Sequence, residues 1–213
     1  LSNGVTTMRD AAGSSLTLQL RKDIESGKRV GPRLVIASLF ITSDDVDPGS
    51  NVVTVKTAEE ARKKITEFLN LGYDGIKCDS GLNDEAYLSA ARTAEARGSY
   101  LFGHTLAGKR NGYGEIYLEE TLDHYRTLEH LGFAVFDYMQ STSSPLYHKP
   151  NVSAGQVGWY AGAYMDFAKA PALAQLLRSK NAILSPTMIT EYYDLKLSEE
   201  KDRFIAAGLD GFR

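Results

Sequence analysis

The stretch "GYDGIKCDSG", residues 72–81, sets a single lysine, Lys77, inside an apolar run short enough to be a buried strand. Lysine is rarely buried unless it is paired or modified, so Lys77 is the first candidate for chemistry. The next run of this kind, "SYLFGH", closes on His104. At the ends of neighbouring strands the two could work together. Imidazole is the commonest metal ligand in proteins. A desolvated lysine amine attacks carbonyl carbons, and as an ammonium it has no lone pair for a metal, so it would have to be neutral or modified to act as a ligand. Each residue also has a plain structural reading. Lys77 could snorkel to solvent or pair with Asp74 or Asp79, and His104 could be a hydrogen-bonded residue closing a strand.

The remaining candidates carry less. His124 and His130 fall in a stretch, 115–131, whose pattern reads as a helix, where they would be surface or helix-end residues; a charged His130 near the helix C-terminus would complement the helix dipole. His148 sits in the polar loop "PLYHKPN" and could touch a substrate. Arg9 and Asp10 close the first candidate strand, and either could face inward or join an ion pair.

The elements that must position these residues repeat one local pattern. Four times an amphipathic stretch ends at a glycine (Gly72, Gly98, Gly132 and Gly208), the first three followed by a short apolar run. In "TAEEARKKITEFLNLGYDGIK", Ala58, Ala61, Ile65, Phe68 and Leu69 share a helical face. Thr57 with Glu60 forms a capping box, and Gly72 is the left-handed stop. Strands are expected near 4–9, 33–38, 74–78, 99–104, 133–139 and 182–187, in parallel βαβ units. The expected fold is α/β, a (β/α)8 TIM barrel in partial form, strands two to seven, because a full barrel takes about 250 residues. Residues 1–213 read as one catalytic-type domain truncated at both ends. An open doubly wound sheet has the same local signature, but no glycine-rich dinucleotide fingerprint follows a strand. Strand parity puts Lys77 inside and Ile76 and Cys78 toward the helices.

Bulk composition narrows the partners. The 213 residues are 43% hydrophobic and 24% charged, with a net charge of −3. No basic stripe offers nucleic acid or anionic membrane a footprint. The single cysteine, Cys78, rules out an intrachain disulfide and a cysteine-built zinc site, and fits a reducing compartment such as the cytoplasm. No apolar run approaches the roughly 18 residues of a membrane helix.

Four segments in order, "GVTTMRDAAG", "LRKDIESGKRVGPRLVIAS", "TAEEARKKITEFLNLGYDGIKCDSG" and "GSYLFGH", resemble the amidohydrolase superfamily, in the branch of imidazolonepropionase-like enzymes and Xaa-Pro dipeptidases. The resemblance covers residues 3–104. It implies a metal-dependent hydrolase of amide or peptide-like bonds, using one or two divalent ions, zinc the first expectation, and a CO2-derived carbamate on the fourth-strand lysine. Lys77 falls at that lysine and His104 at the fifth-strand histidine, so both are expected metal and catalytic residues. The implied partner is a small or peptide-like amide, with a homo-oligomer open. Three features depart from the pattern: the first-strand His-x-His pair would precede Leu1, the eighth-strand aspartate would follow Arg213, and the sixth-strand histidine aligns with Ser141 in "FDYMQST". His130, in "TLEHLG", is the second choice for that ligand.

Two other readings stay open. "YDGIKCDSG" also resembles the lysine strand of deoxyribose-phosphate aldolases, which act through a Schiff base, although no lysine lies between Lys77 and Lys109 to assist it. With Ser141 at a ligand position, the chain could instead be a non-catalytic fragment of an amidohydrolase.

Overall fold

The structure is a computed structural model that describes residues 1–47, 51–106, 116, 118–130, 138–139 and 165–187. The chain runs β1 (Thr7–Asp10), α1 (Ser15–Glu25), β2 (Arg33–Thr42), β3 (Val52–Thr54), α2 (Ala58–Leu71), β4 (Gly75–Cys78), α3 (Asp84–Ala96) and β5 (Leu101–Gly103). It continues through α4 (Leu118–His124), β6 (Tyr125–Glu129), a 3-10 turn (Phe167–Lys169), α5 (Ala170–Ser179) and β7 (Ile183–Ser185).

Six strands pair in the order β1-β2-β4-β5-β6-β7, every pair parallel. Apart from β3, sheet order follows chain order, as in a barrel and unlike a doubly wound sheet. The fold is therefore a partial (β/α)8 barrel, as expected. The short β3 pairs with Phe40–Thr42 at the end of β2, beyond the 33–38 expected for that strand.

Local chemistry explains the helices. Thr57 and Glu60 form the capping box of α2, and Gly72 ends it at φ 96°. Ser14 and Thr17 make the equivalent box on α1. Asn83 caps α3 by accepting from the Ala86 N–H. The outer face of the sheet packs on these helices: Ile36, Ile41, Ile76, Cys78 and Leu101 bury against Ile65, Phe68, Tyr87, Ala90 and Ala94. Cys78 is fully buried there, as parity requires, and burial pushes its thiol up to about 12. It behaves as a small apolar side chain.

One element differs from expectation. The stretch read as a single helix over 115–131 is α4 followed directly by β6. Its apolar positions, Leu118, Leu122, Tyr125 and Leu128, keep helical spacing across the junction, so periodicity alone cannot show the break. The strand forms because its backbone pairs on both sides, with β5 and with β7. A register shift beside Leu101 lets Tyr125 turn outward to the helices, while Thr127 falls in register with Phe102 on the inner face. Of the strand expected at 133–139, residues 133–137 lie outside the described residues, and Tyr138 and Met139 are helical.

Candidate active site

The inner face of the sheet is unusually polar for a barrel core. Register sets Phe40, Lys77 and Phe102 side by side on β2, β4 and β5. The Lys77 Nζ lies 5.2 Å from the Phe40 ring centre and 5.4 Å from that of Phe102. Only 1% of Lys77 is exposed. Burial pulls its amine down to about 8; Glu129 opposes that shift and Arg9 adds to it. The two carboxylates that could have held Lys77 in a structural ion pair are engaged elsewhere. Asp74 accepts from Arg21 at 2.6 Å and from the Ile36 N–H at 2.7 Å. Asp79 lies 2.7 Å from the His104 ring. Among the described residues Lys77 has no carboxylate within ion-pair distance.

His104 follows β5 and is held by its backbone. Its N–H donates to the Cys78 carbonyl at 3.1 Å, and its own carbonyl accepts from the Tyr125 hydroxyl at 3.0 Å. That approach depends on Gly103, whose φ is 142°; a Cβ there would sit 2.2 Å from the Cys78 carbonyl oxygen. The His104 ring tilts against Phe40 at 5.8 Å, and its Nδ1 faces the Asp79 carboxylate.

His130 follows β6 and so stands on the same rim, which corrects its assignment to a helix end. Its N–H donates to the Ser185 carbonyl at 2.9 Å, its φ is 61°, and its Nδ1 lies 2.6 Å from the Thr187 hydroxyl. Burial lowers its pKa, and the nearby charges of His104 and Lys77 lower it further. The His104 and His130 ring centres are 5.1 Å apart. Lys77, His104 and His130 thus come from three adjacent strands, β4, β5 and β6. Ser141, the residue aligned with the sixth-strand ligand, lies outside the described residues, as does His148.

Beneath this rim Arg9 crosses the concave face of the sheet from β1 to β6. It donates to the Thr127 hydroxyl at 2.6 Å and to the Glu129 carboxylate at 2.5 Å, and its guanidinium stacks 4.9 Å from the Phe102 ring centre. Burial acts to raise the Glu129 carboxyl; hydrogen bonds from Thr127 and Ser185, with the charges of Arg9 and Lys77, outweigh it and hold the group low. The same balance holds Asp79 low, where burial is outweighed by the hydrogen bond and charge of His104. Asp10, the other half of the first strand-end pair, accepts from the Ala12 N–H. His124 pairs with Glu95 at 2.8 Å on the helical side and takes no part in the rim.

The donor set can be tested against a metal. Two imidazoles on one tetrahedral ion, each at a Zn–N distance of about 2.0–2.1 Å, have ring centres roughly 5 Å apart. The spacing of His104 and His130 fits this. Among the described residues no group of three or more His, Cys, Asp or Glu side chains is arranged to hold a metal, so a third donor would be Lys77 in a modified form or a residue outside the described set.

No protein-family model matches the sequence. No curated protein matches it either. Solved structures do. An uncharacterized protein superposes with a TM-score of 0.57 at 18% identity, over 95% of this chain and 46% of that one. A bottromycin amidohydrolase gives 0.54 at 21% identity, over 62% of this chain and 28% of that one. A prolidase candidate from Bifidobacterium longum gives 0.54 at 18% identity, over 83% of this chain and 51% of that one. The fold is that of amidohydrolase structures. The chain spans about half, or less, of the length of these three solved structures. No helix among the described residues is long and apolar enough to cross a membrane.

Proposed function

We propose that this protein belongs to the amidohydrolase superfamily and is a metal-dependent hydrolase of amide or peptide-like bonds, with Lys77, His104 and His130 as its metal-binding residues. The observation that carries this reading is the 5.1 Å spacing of the two imidazoles at the strand ends beside the buried Lys77. The fold shared with an amidohydrolase and a prolidase candidate supports it. A divalent ion such as zinc, when bound, supplies a water of lowered pKa and polarises the substrate carbonyl.

The chain's own residues prepare that site. Desolvation keeps a large fraction of the Lys77 amine neutral near pH 8. The neutral nitrogen adds to the carbon of CO2 and loses a proton to solvent, which leaves a carbamate anion with oxygen donors in place of an amine. His104 and His130 contribute imidazole nitrogens from fixed backbone positions. Phe40 and Phe102 wall the site and limit water around Lys77.

The test is hydrolysis of dipeptides and N-acyl amino acids by the zinc-loaded protein. The reading requires turnover that disappears in Lys77→Ala and in His130→Ala. Turnover unchanged in Lys77→Ala contradicts it. So does a borohydride-trapped adduct of Lys77 with a carbonyl compound in place of hydrolysis, the outcome expected of an aldolase-type lysine.

A further inference from the structure

Among the described residues, three that are not glycine have a positive φ: His130 at 61°, Asn181 at 49° and Thr187 at 54°. Asn181 needs no special account. It lies just past the end of α5, where asparagine is a common substitute for glycine. The other two stand just past the ends of neighbouring strands, β6 and β7, and their side chains meet: Nδ1 of His130 lies 2.6 Å from Oγ1 of Thr187. Threonine is the less expected of the two, because its branched Cβ crowds the backbone at positive φ. Strain of this kind persists only where the surroundings impose it, and it gathers at functional sites.

What imposes it is visible in the backbone. Pro186 has no N–H with which to continue the ladder beyond Ser185. The Ser185 carbonyl accepts from the His130 N–H at 2.9 Å, and the Thr187 hydroxyl lies 3.3 Å from the same oxygen. One carbonyl thus holds the His130 backbone and the Thr187 side chain, and that side chain reaches the His130 ring. We infer that Thr187 is a positioning residue for His130: the left-handed turn after β7 sets its hydroxyl against the ring and fixes where the imidazole points over the rim. A hydroxyl can donate or accept, so the role is the same whichever ring nitrogen carries hydrogen.

This inference rests on reading His130 as a metal ligand, so its test separates the two claims. In metal-free protein labelled with 13C at the histidine rings, with His130 assigned through His130→Gln, relaxation of the ring carbons reports whether the ring is held or moves on its backbone. Wild type is expected to hold it. Thr187→Ser keeps the hydroxyl and is expected to hold it as well. Thr187→Ala and Thr187→Gly lose the hydroxyl, and both are expected to free the ring and to weaken zinc binding by about 10–100-fold. Both also remove the branched Cβ, and glycine suits a backbone at φ 54°, so Thr187→Gly is expected to unfold at no lower a temperature than wild type. A role in folding alone would move the unfolding temperature and leave the ring and the zinc affinity as they are. A His130 ring no freer in Thr187→Ala and Thr187→Gly than in wild type overturns the proposal. So does a ring as free in Thr187→Ser as in Thr187→Ala, or zinc binding unchanged in a variant whose ring is free. If the rings behave as expected but wild type binds no zinc, the positioning role stands and the metal reading fails.

Discussion

A lysine amine wedged between two phenylalanine faces has few stabilising partners for its charge, and this shapes the stability of the chain as well as its chemistry. The Lys77 amine is lowered from the ordinary 10.5 to about 8 in the fold. Between those values Lys77 binds more protons in the unfolded chain than in the folded one, so its own contribution to stability rises with pH across the window and is flat below it. The full cost is present below pH 8. Lys77→Met is expected to stabilise the metal-free protein at pH 7 by up to roughly 3 kcal/mol, at 1.36 kcal/mol per pKa unit. It should also remove that contribution, read as the gap between wild type and variant closing from pH 8 to 10.5 in denaturant titrations in CO2-free buffer. Gly103 is the second residue with a sharp expectation. Gly103→Ala places a methyl against the Cys78 backbone in a conformation that L-residues avoid, so a loss on the order of 3 kcal/mol is expected, read by thermal or denaturant unfolding. Lys77 and His104 were legible as residues, since an isolated lysine in an apolar strand and a strand-end histidine are visible signals. Asp79, Thr187 and Glu129 were not, because each takes its meaning from a partner on another strand.

At the scale of elements, β1, β2, β4, β5 and β7 could be read within a few residues from the repeated order of helix, glycine and apolar run. The α4–β6 junction could not. Helical spacing runs through "LEETLDHYRTLEHLG" without a glycine or proline to mark the end of α4. What makes Tyr125–Glu129 a strand is pairing with residues about 25 and 56 positions away, and no local pattern carries that. The misreading displaced His130 from the rim. The same strand holds one end of the Arg9 bridge. Arg9→Ala would leave the Glu129 carboxylate, with its side chain only 7% exposed, without its cation. A destabilisation of about 3 kcal/mol is expected by chemical unfolding. Arg9→Lys should recover only part of it, because an ammonium lacks the fork that reaches Thr127 and Glu129 together.

For the whole molecule, sheet order carries the functional logic. Sequential parallel strands bring β4, β5 and β6 side by side, so three side chains 27 and 26 residues apart in sequence converge at one rim. The Arg9 bridge spans the concave face of the same arc, tying β1 to β6 beneath that rim. The central claim is that the sixth-strand ligand is His130. Calorimetric titration of the protein with zinc, in bicarbonate buffer, tests it most directly when His130→Ala and Ser141→Ala are compared with wild type. The account predicts that His130→Ala loses zinc binding by at least tenfold while Ser141→Ala binds as wild type does. Retention of zinc in His130→Ala, with loss in Ser141→Ala, would contradict it.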